Sequence, residues 1–255
     1  MARRQRSVLV LSVVAVMVAI EGIWLAPASL IDMRLAETTH GSVRLTDTDG
    51  TLWHARGTVT IGTARIPIAW RIDVWPIFFG ELRVHVMPGV GKDTGSPRAD
   101  ITFTRHSVGL RDLELNVPAS LIATASGRPA AGVIEGDVNV NAAAFDWSPP
   151  NSHGEARVSW RGARLRFIAG AAPLDLGDLR VTVTAEGDRL SGPVANEGGD
   201  LDVRGDLTAR EQDGMRLGLV LTPRRSDNAQ LALALALIGT AEGAGWRVDW
   251  RLPLR

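Results

Sequence analysis

Apolar residues recur at every second position over most of this chain, and this alternation limits the folds that it can adopt. Examples of such files are Ile66, Ile68, Trp70 and Ile72; Leu82, Val84 and Val86; Leu113, Leu115 and Val117; and Trp246, Val248 and Trp250. Alternation of this kind predicts β-strands with one buried face. The positions between carry mainly Arg, Asp, Thr and Glu, so the other face meets water, which favours antiparallel pairing. We expect about twelve to fourteen strands in a mostly β protein built on a curved antiparallel sheet.

Turn signals separate the strands, and two segments favour short helices. Thr48-Asp49-Gly50 predicts a hairpin turn between strands 41–46 and 51–60. Residues 117–123 place a proline near a helical first turn. Residues 231–238 alternate Leu and Ala, which also fits a strand, but both are strong helix formers and Gly239 suits a helix end. We therefore interpret both segments as helices.

A short sequence occurs twice. Pro-Ala-Ser-Leu-Ile stands at 27–31 and again at 118–122, an offset of 118 − 27 = 91 residues. Gly41 and Gly132 keep the same offset, and each precedes a predicted strand. Two interpretations remain open: a chance match, or a duplicated helix-plus-meander module. The duplication would divide the chain into modules 27–116 and 117–255.

The N-terminus has the pattern of a membrane-targeting segment. Basic residues come first, namely Arg3, Arg4 and Arg6, and an apolar run follows. Residues 8–26 are long enough for a single-pass anchor, and Trp24 suits the membrane interface. A cleaved signal peptide ending at 26–28 is the alternative. We expect an uncleaved anchor at 8–26, a cytoplasmic tail at 1–7 and a periplasmic β-rich domain at 27–255, because the arginines hold the N-terminus inside.

Composition removes several classes of function. The 28 basic residues balance 28 acidic ones, which argues against nucleic acid as a partner. No cysteine is present, so thiolate metal sites and Cys nucleophiles are excluded. Lys92 is the single lysine, which weakens any mechanism that needs a lysine base. We expect no cofactor.

One motif imitates an active site. Asp47-Thr48-Asp49-Gly50-Thr51 resembles the signature of haloacid dehalogenase phosphatases, in which the first Asp is the nucleophile. That fold needs a parallel sheet with crossover helices, and no such rhythm follows. The same residues form only a partial calcium loop. The five histidines, His40, His54, His85, His106 and His153, are scattered and are expected on exposed strands or loops. The sequence therefore predicts a protein that is not an enzyme.

Several motifs together resemble protein N of the type II (general) secretion pathway. A Pro-Ala element follows the anchor at 27–28, and Trp70 lies on a later strand. Between them comes a turn motif formed by Gly50, Thr51, Leu52 and Trp53, whose final Gly is displaced to Gly57. Residues 132–136, 234–239 and 245–250 resemble the family's central strand, closing helix and last strand. The resemblance thus spans nearly the whole chain.

The resemblance implies an accessory component of the bacterial inner membrane that takes part in exporting folded proteins from the periplasm. Its partners would be other inner-membrane and periplasmic components of the secretion machine, contacted by strand addition at open sheet edges. Gly50 would supply a positive φ, and Trp53 would be either a core residue or a contact residue. The alternative is lipid binding or transfer, because periplasmic proteins of the AsmA type share the plan of an anchor and a curved sheet.

Overall fold

The strands pair into a single antiparallel sheet. The computed structural model describes residues 25–89, 97–125, 133–166, 173–210, 212–225, 231, 235–236 and 239–252. Within these residues fourteen strands form one open, curved sheet in the order β1 to β12, then β14 and β13. The predicted mostly β, antiparallel architecture and the predicted strand number are confirmed.

The helices and strands alternate with short turns along the chain. The first half contains α1 (Ser29–Thr38), β1 (Val43–Gly50), β2 (His54–Ile61), β3 (Ala64–Asp73), a 3-10 helix (Trp75–Phe79), β4 (Leu82–Pro88), β5 (Arg98–Phe103), β6 (Val108–Pro118) and α2 (Ala119–Ala125). The second half contains β7 (Val133–Trp147), β8 (Ser152–Arg166), β9 (Leu174–Gly187), β10 (Arg189–Glu197), β11 (Leu201–Arg210), β12 (Gly214–Pro223), β13 (Thr240–Glu242) and β14 (Gly245–Leu252).

Helices cover parts of the apolar face of the sheet. Helix α1 packs through Ile31 and Leu35 onto β1–β3. Helix α2 buries Ala119 in a cluster that includes residues of β3, β6, β7 and β8. In the predicted helix 231–238, the described residues 231, 235 and 236 are helical, and Leu231 and Leu235 are buried against β8, β9, β11, β12 and β14. Each cluster joins apolar residues that alternate along neighbouring strands, so the period-two pattern supplies the core.

The predicted hairpin turn at Thr48-Asp49-Gly50 is wrong. Those residues lie inside β1, and the turn comes later, at residues 51–53. The pairing of β1 with β2 shifts between Thr46 and Asp49, so Asp47 and Thr48 together face Gly57. This β-bulge accommodates one extra residue in β1 and lets Asp49 pair with Arg56. Asp47, the first residue of the bulge, adopts a positive φ of 52°, a conformation that Asp enters more readily than most residues.

The predicted anchor at 8–26 falls almost wholly outside the described residues. Among the helices that the structure does describe, none is long and apolar enough to cross a membrane.

Both copies of the Pro-Ala-Ser-Leu-Ile sequence stand at the start of a helix, α1 and α2. The division into modules 27–116 and 117–255 stays a prediction.

Candidate functional site

The motif residues that are separated in sequence meet at one end of the sheet. The amide of Leu52 donates to the carbonyl of Ala26 at 2.7 Å, and Pro27 forms a β-bridge with Thr51. The indole Nε1 of Trp70 donates to the carbonyl of Leu52 at 3.0 Å. The Pro-Ala element, the turn at 51–53 and Trp70 thus form one unit, which we call the anchor junction. It fixes the first described residues of the chain to the first hairpin.

Trp70 is the centre of the core beneath this junction. Its side chain is 4% exposed and packs with Ala28, Leu45 and Ala55. Ala28 is the residue before α1, so the same cluster holds the start of that helix on the sheet. The indole satisfies a main-chain carbonyl while its ring fills the core, a combination that Phe or Leu cannot provide.

Two motif positions favour glycine for different reasons. Gly50 has a φ of +116°, as the sequence predicts, and a Cβ there would lie 2.5 Å from the carbonyl oxygen of His54. Gly57 lies beneath the bulge, where a Cβ would meet Leu45 Cδ1 and Thr48 Cγ2, each at 3.2 Å. The first position needs the unusual backbone conformation, and the second needs the space.

Of the remaining predicted site residues, the structure describes Trp53 but not the N-terminal arginines. The Trp53 side chain is half-buried, and its carbonyl accepts from the amide of Ile72 at 2.7 Å. Its role as a core or a contact residue stays open. Arg3, Arg4 and Arg6 lie outside the described residues.

A carboxylate of α1 ties the helix to the edge of the sheet. Asp32 accepts two hydrogen bonds from the Arg44 guanidinium, at 3.0 and 2.7 Å, and one from the amide of Leu45 at 2.8 Å. These bonds lower the pKa of Asp32 from 3.8 to about 2, chiefly through Arg44. The amide of Val43, which like that of Leu45 points away from β2, donates to Thr39 Oγ1 at 3.2 Å. No sequence pattern indicates the contact between Asp32 and Arg44, since the two residues belong to different elements, α1 and β1.

The two aspartates of the phosphatase-like motif lie on the exposed part of β1. Asp47 and Asp49 are both exposed, and Asp49 forms an ion pair with Arg56 at 2.6 Å. Asp47, which would be the nucleophile, therefore lacks the enclosed surroundings that an aspartyl nucleophile needs.

His85 departs from the expectation that all five histidines are exposed. It lies partly buried between two carboxylates: Nδ1 is 2.7 Å from Asp100 and Nε2 is 3.1 Å from Asp73. The two carboxylates, Asp100 first, raise the pKa of His85 because they favour the imidazolium. Both ring nitrogens are engaged, so this imidazole is not available as a base for a hydroxyl nucleophile. The three residues come from neighbouring strands, and only the strand register reveals them.

An apolar groove lies on the second half of the sheet, on the face that also packs against Leu231 and Leu235. Its volume is about 510 Å³, and its described lining is apolar except for Arg166. Trp160, Val181 and Leu219 belong to this lining. Arg166 contacts Glu135 at 3.3 Å, and its Nε is buried without a hydrogen-bond partner among the described residues.

The fold and the junction define a class: a β-meander protein whose distinctive residues fix its N-terminal segment to the sheet. Residues 41–248 match the model of the family described as type II secretion system (T2SS), protein N. That match covers most of the chain, so the chain belongs to this family, as the sequence motifs predict. No curated protein and no solved structure matches it significantly. The family is a component of the secretion machinery and is not known for enzymatic activity.

Proposed function

We propose that this protein is a non-enzymatic scaffold of the type II secretion system that takes part in exporting folded proteins from the periplasm across the outer membrane. A single anchor at 8–26 would hold it in the inner membrane, with the tail at 1–7 in the cytoplasm and the sheet in the periplasm. Family membership supports the secretion role. The apolar segment and the three N-terminal arginines support the topology.

The anchor junction is the observation that carries this proposal. A freely tethered domain would need only a linker after its membrane segment. Here the chain at Ala26 and Pro27 is bonded to the turn at Leu52 and Thr51 within two residues of the predicted anchor. The sheet is therefore held at a fixed distance from the membrane, which suits a part that presents a surface to neighbouring components.

Partner proteins would use the faces and turns of this sheet rather than its first edge. The outward amides of Val43 and Leu45 on β1 already donate to Thr39 and Asp32. An edge whose amides are occupied does not template another strand. The opposite edge, β13, has three residues, too few for a long added strand. Recruitment by strand addition is thus disfavoured at β1.

A secretion assay tests the role directly. A host that lacks this gene should fail to release its type II cargo into the medium, and the wild-type gene should restore release. In mild detergent the protein should co-purify with inner-membrane components of the machine. Unchanged secretion in the deletion strain, together with no co-purifying component, would refute the scaffold proposal.

A spacer variant tests the fixed distance. A Gly-Ser spacer inserted after Leu25 leaves the anchor junction intact but separates it from the membrane. We expect normal protein levels and reduced secretion. An equal spacer in the exposed turn at Gly243 is the matched control and should leave secretion unchanged, because that turn is remote from the junction. Reporter fusions after residue 40 should be active only if the sheet is periplasmic.

The apolar groove supports a second candidate, the binding of a lipid acyl chain. Its volume of about 510 Å³ falls within the roughly 300–1,000 Å³ typical of ligand sites. Arg166 is the one charged residue in the described lining, and its guanidinium is paired with Glu135 at 3.3 Å, so the apolar lining alone supports this candidate. Leu231 and Leu235 fill the neighbouring part of the face, so the groove is limited in length and does not run along the whole sheet.

A photoreactive palmitate tests the lipid hypothesis on the full chain. The probe should crosslink to residues of β8 and β9 in the wild-type protein. Val181→Trp fills the groove and should abolish crosslinking, whereas Thr182→Trp lies on the opposite face and should not. Circular dichroism establishes that both variants fold. Equal crosslinking of the two variants would exclude the groove as the site.

A further inference from the structure

The 3-10 helix between β3 and β4 exposes an unusual group of aromatic side chains. Trp75, Phe78 and Phe79 are 78%, 76% and 84% exposed. Single apolar residues are common on protein surfaces, but a contiguous aromatic cluster indicates a contact. No charged residue occurs from 74 to 80, and charges begin at Asp73 and Glu81 on either side. We call residues 74–80 the aromatic loop.

The aromatic loop lies at the same end of the sheet as the anchor junction. Antiparallel pairing places the start of β2 beside the end of β3, with His54 opposite Arg71. Two main-chain hydrogen bonds connect the two features. The carbonyl of Ala26 accepts from the amide of Leu52 at 2.7 Å, and the carbonyl of Trp53, the residue after Leu52, accepts from the amide of Ile72 at 2.7 Å. Ile72 stands three residues before Trp75, so the loop lies close to the point where the predicted membrane anchor ends.

Three main-chain hydrogen bonds close the aromatic loop on itself. The amide of Ile77 donates to Val74 at 3.2 Å, and the amides of Gly80 and Glu81 donate to Ile77 and Pro76, each at 3.0 Å. Pro76 has no amide hydrogen to satisfy. A segment entering a region of low dielectric needs internal partners for its main-chain donors, and the amides of Ile77 and Gly80 have theirs within the loop.

We propose that the aromatic loop inserts into the periplasmic interface of the inner membrane as a second membrane contact. The proposal rests on the anchored topology proposed above. Trp and Phe are typical of interfacial anchors, since their rings are apolar or amphipathic and settle at headgroup level. Leu25, 73% exposed near the end of the predicted anchor, directly precedes the junction residue Ala26. Two attachment points fix the tilt of the sheet as well as its distance from the bilayer.

The absence of cysteine makes a direct test possible. Phe79→Cys in the otherwise Cys-free full chain carries an environment-sensitive fluorophore. Thr63→Cys, in the exposed β2–β3 turn at the other end of the sheet, is the matched control. Both proteins are inserted into vesicles of phosphatidylethanolamine and phosphatidylglycerol, and flotation establishes insertion. Phe78→Cys is a second probe position in case a label at 79 disturbs the loop.

The expected result is a blue-shifted emission at position 79, quenched by lipids that carry a nitroxide near the headgroup, and no shift or quenching at position 63. Emission typical of water at both 78 and 79 would overturn the proposal, as would failure of the chain to float with vesicles. A shift at 79 that occurs only after other secretion components are added would show a protein contact instead and would also overturn it. Because the vesicles contain only lipid and this chain, a failed secretion role would not alter the outcome.

Discussion

The substitution Trp70→Phe tests whether the anchor junction depends on the indole hydrogen bond. The ring of Trp70 is buried and its Nε1 donates to Leu52 at 3.0 Å. Phenylalanine keeps an aromatic ring in the core but has no donor. The turn that holds Ala26 would therefore lose the support of its central carbonyl.

The expected loss of stability in Trp70→Phe has two parts, a lost hydrogen bond and a void in the core. A part-buried carbonyl left without its donor costs about 1–3 kcal/mol. The smaller ring leaves a void, for which modest core truncations cost about 0.5–1.5 kcal/mol. We expect Trp70→Phe to lower the free energy of unfolding by about 2–4 kcal/mol. In a chain of this size that corresponds to roughly 5–15 °C in Tm.

Thermal melts followed by far-UV circular dichroism measure the effect on the full chain in detergent. Trp75→Phe is the matched control, because Trp75 is 78% exposed, and it should change stability by less than about 0.5 kcal/mol. If Trp70→Phe melted together with Trp75→Phe, the indole bond would contribute nothing and the argument for the junction would fail. Trp53→Ala should destabilise less than Trp70→Ala, since Trp53 is only half-buried.

Three further predictions concern a glycine, a histidine and an aspartate. Gly50→Ala should destabilise by at least about 1–3 kcal/mol, because its φ is +116° and the new Cβ would meet the carbonyl of His54; urea unfolding measures this. The raised pKa of His85 means that its contribution to stability is complete below the ordinary His pKa and is lost as pH rises through the folded-state value. Melts across this range should show Tm falling, and His85→Gln should remove that part of the slope. The lowered pKa of Asp32 gives stability the opposite dependence on pH. The contribution of Asp32 to the free energy of unfolding is complete above pH 3.8 and is lost as pH falls through about 2. Asp32→Asn should destabilise by roughly 1–2 kcal/mol at pH 7, since the Arg44 pair is partly exposed.

Each of these predictions has its own control. Gly243→Ala, at a positive φ of 60° with open space around it, should destabilise less than Gly50→Ala. His106→Gln, on an exposed turn, should leave the pH slope of the wild type in place. A slope that survives His85→Gln would disprove the assignment to that residue. An Asp32→Asn protein as stable as the wild type at pH 7 would show that the link between α1 and β1 is not important.

The anchor junction illustrates what sequence alone indicated. The Pro-Ala element, the Gly-Thr-Leu-Trp turn and Trp70 were recognisable as motifs, and the positive φ of Gly50 was predictable, because these are properties of single residues and short spacings. That the three motifs contact one another was not predictable. Their contacts depend on which strands pair, and in which register.

The mostly β architecture, its antiparallel pairing and the family were predictable from the residues alone, since alternation with period two and local motifs need no long-range information. The position of the first hairpin turn depends on strand pairing, because the β-bulge at Asp47 places the turn at residues 51–53. Tertiary structure also decided that His85 meets Asp73 and Asp100, and that the aromatic loop lies beside the anchor junction. These features arise where residues far apart in the chain become neighbours across strands, and a local pattern carries no record of that pairing.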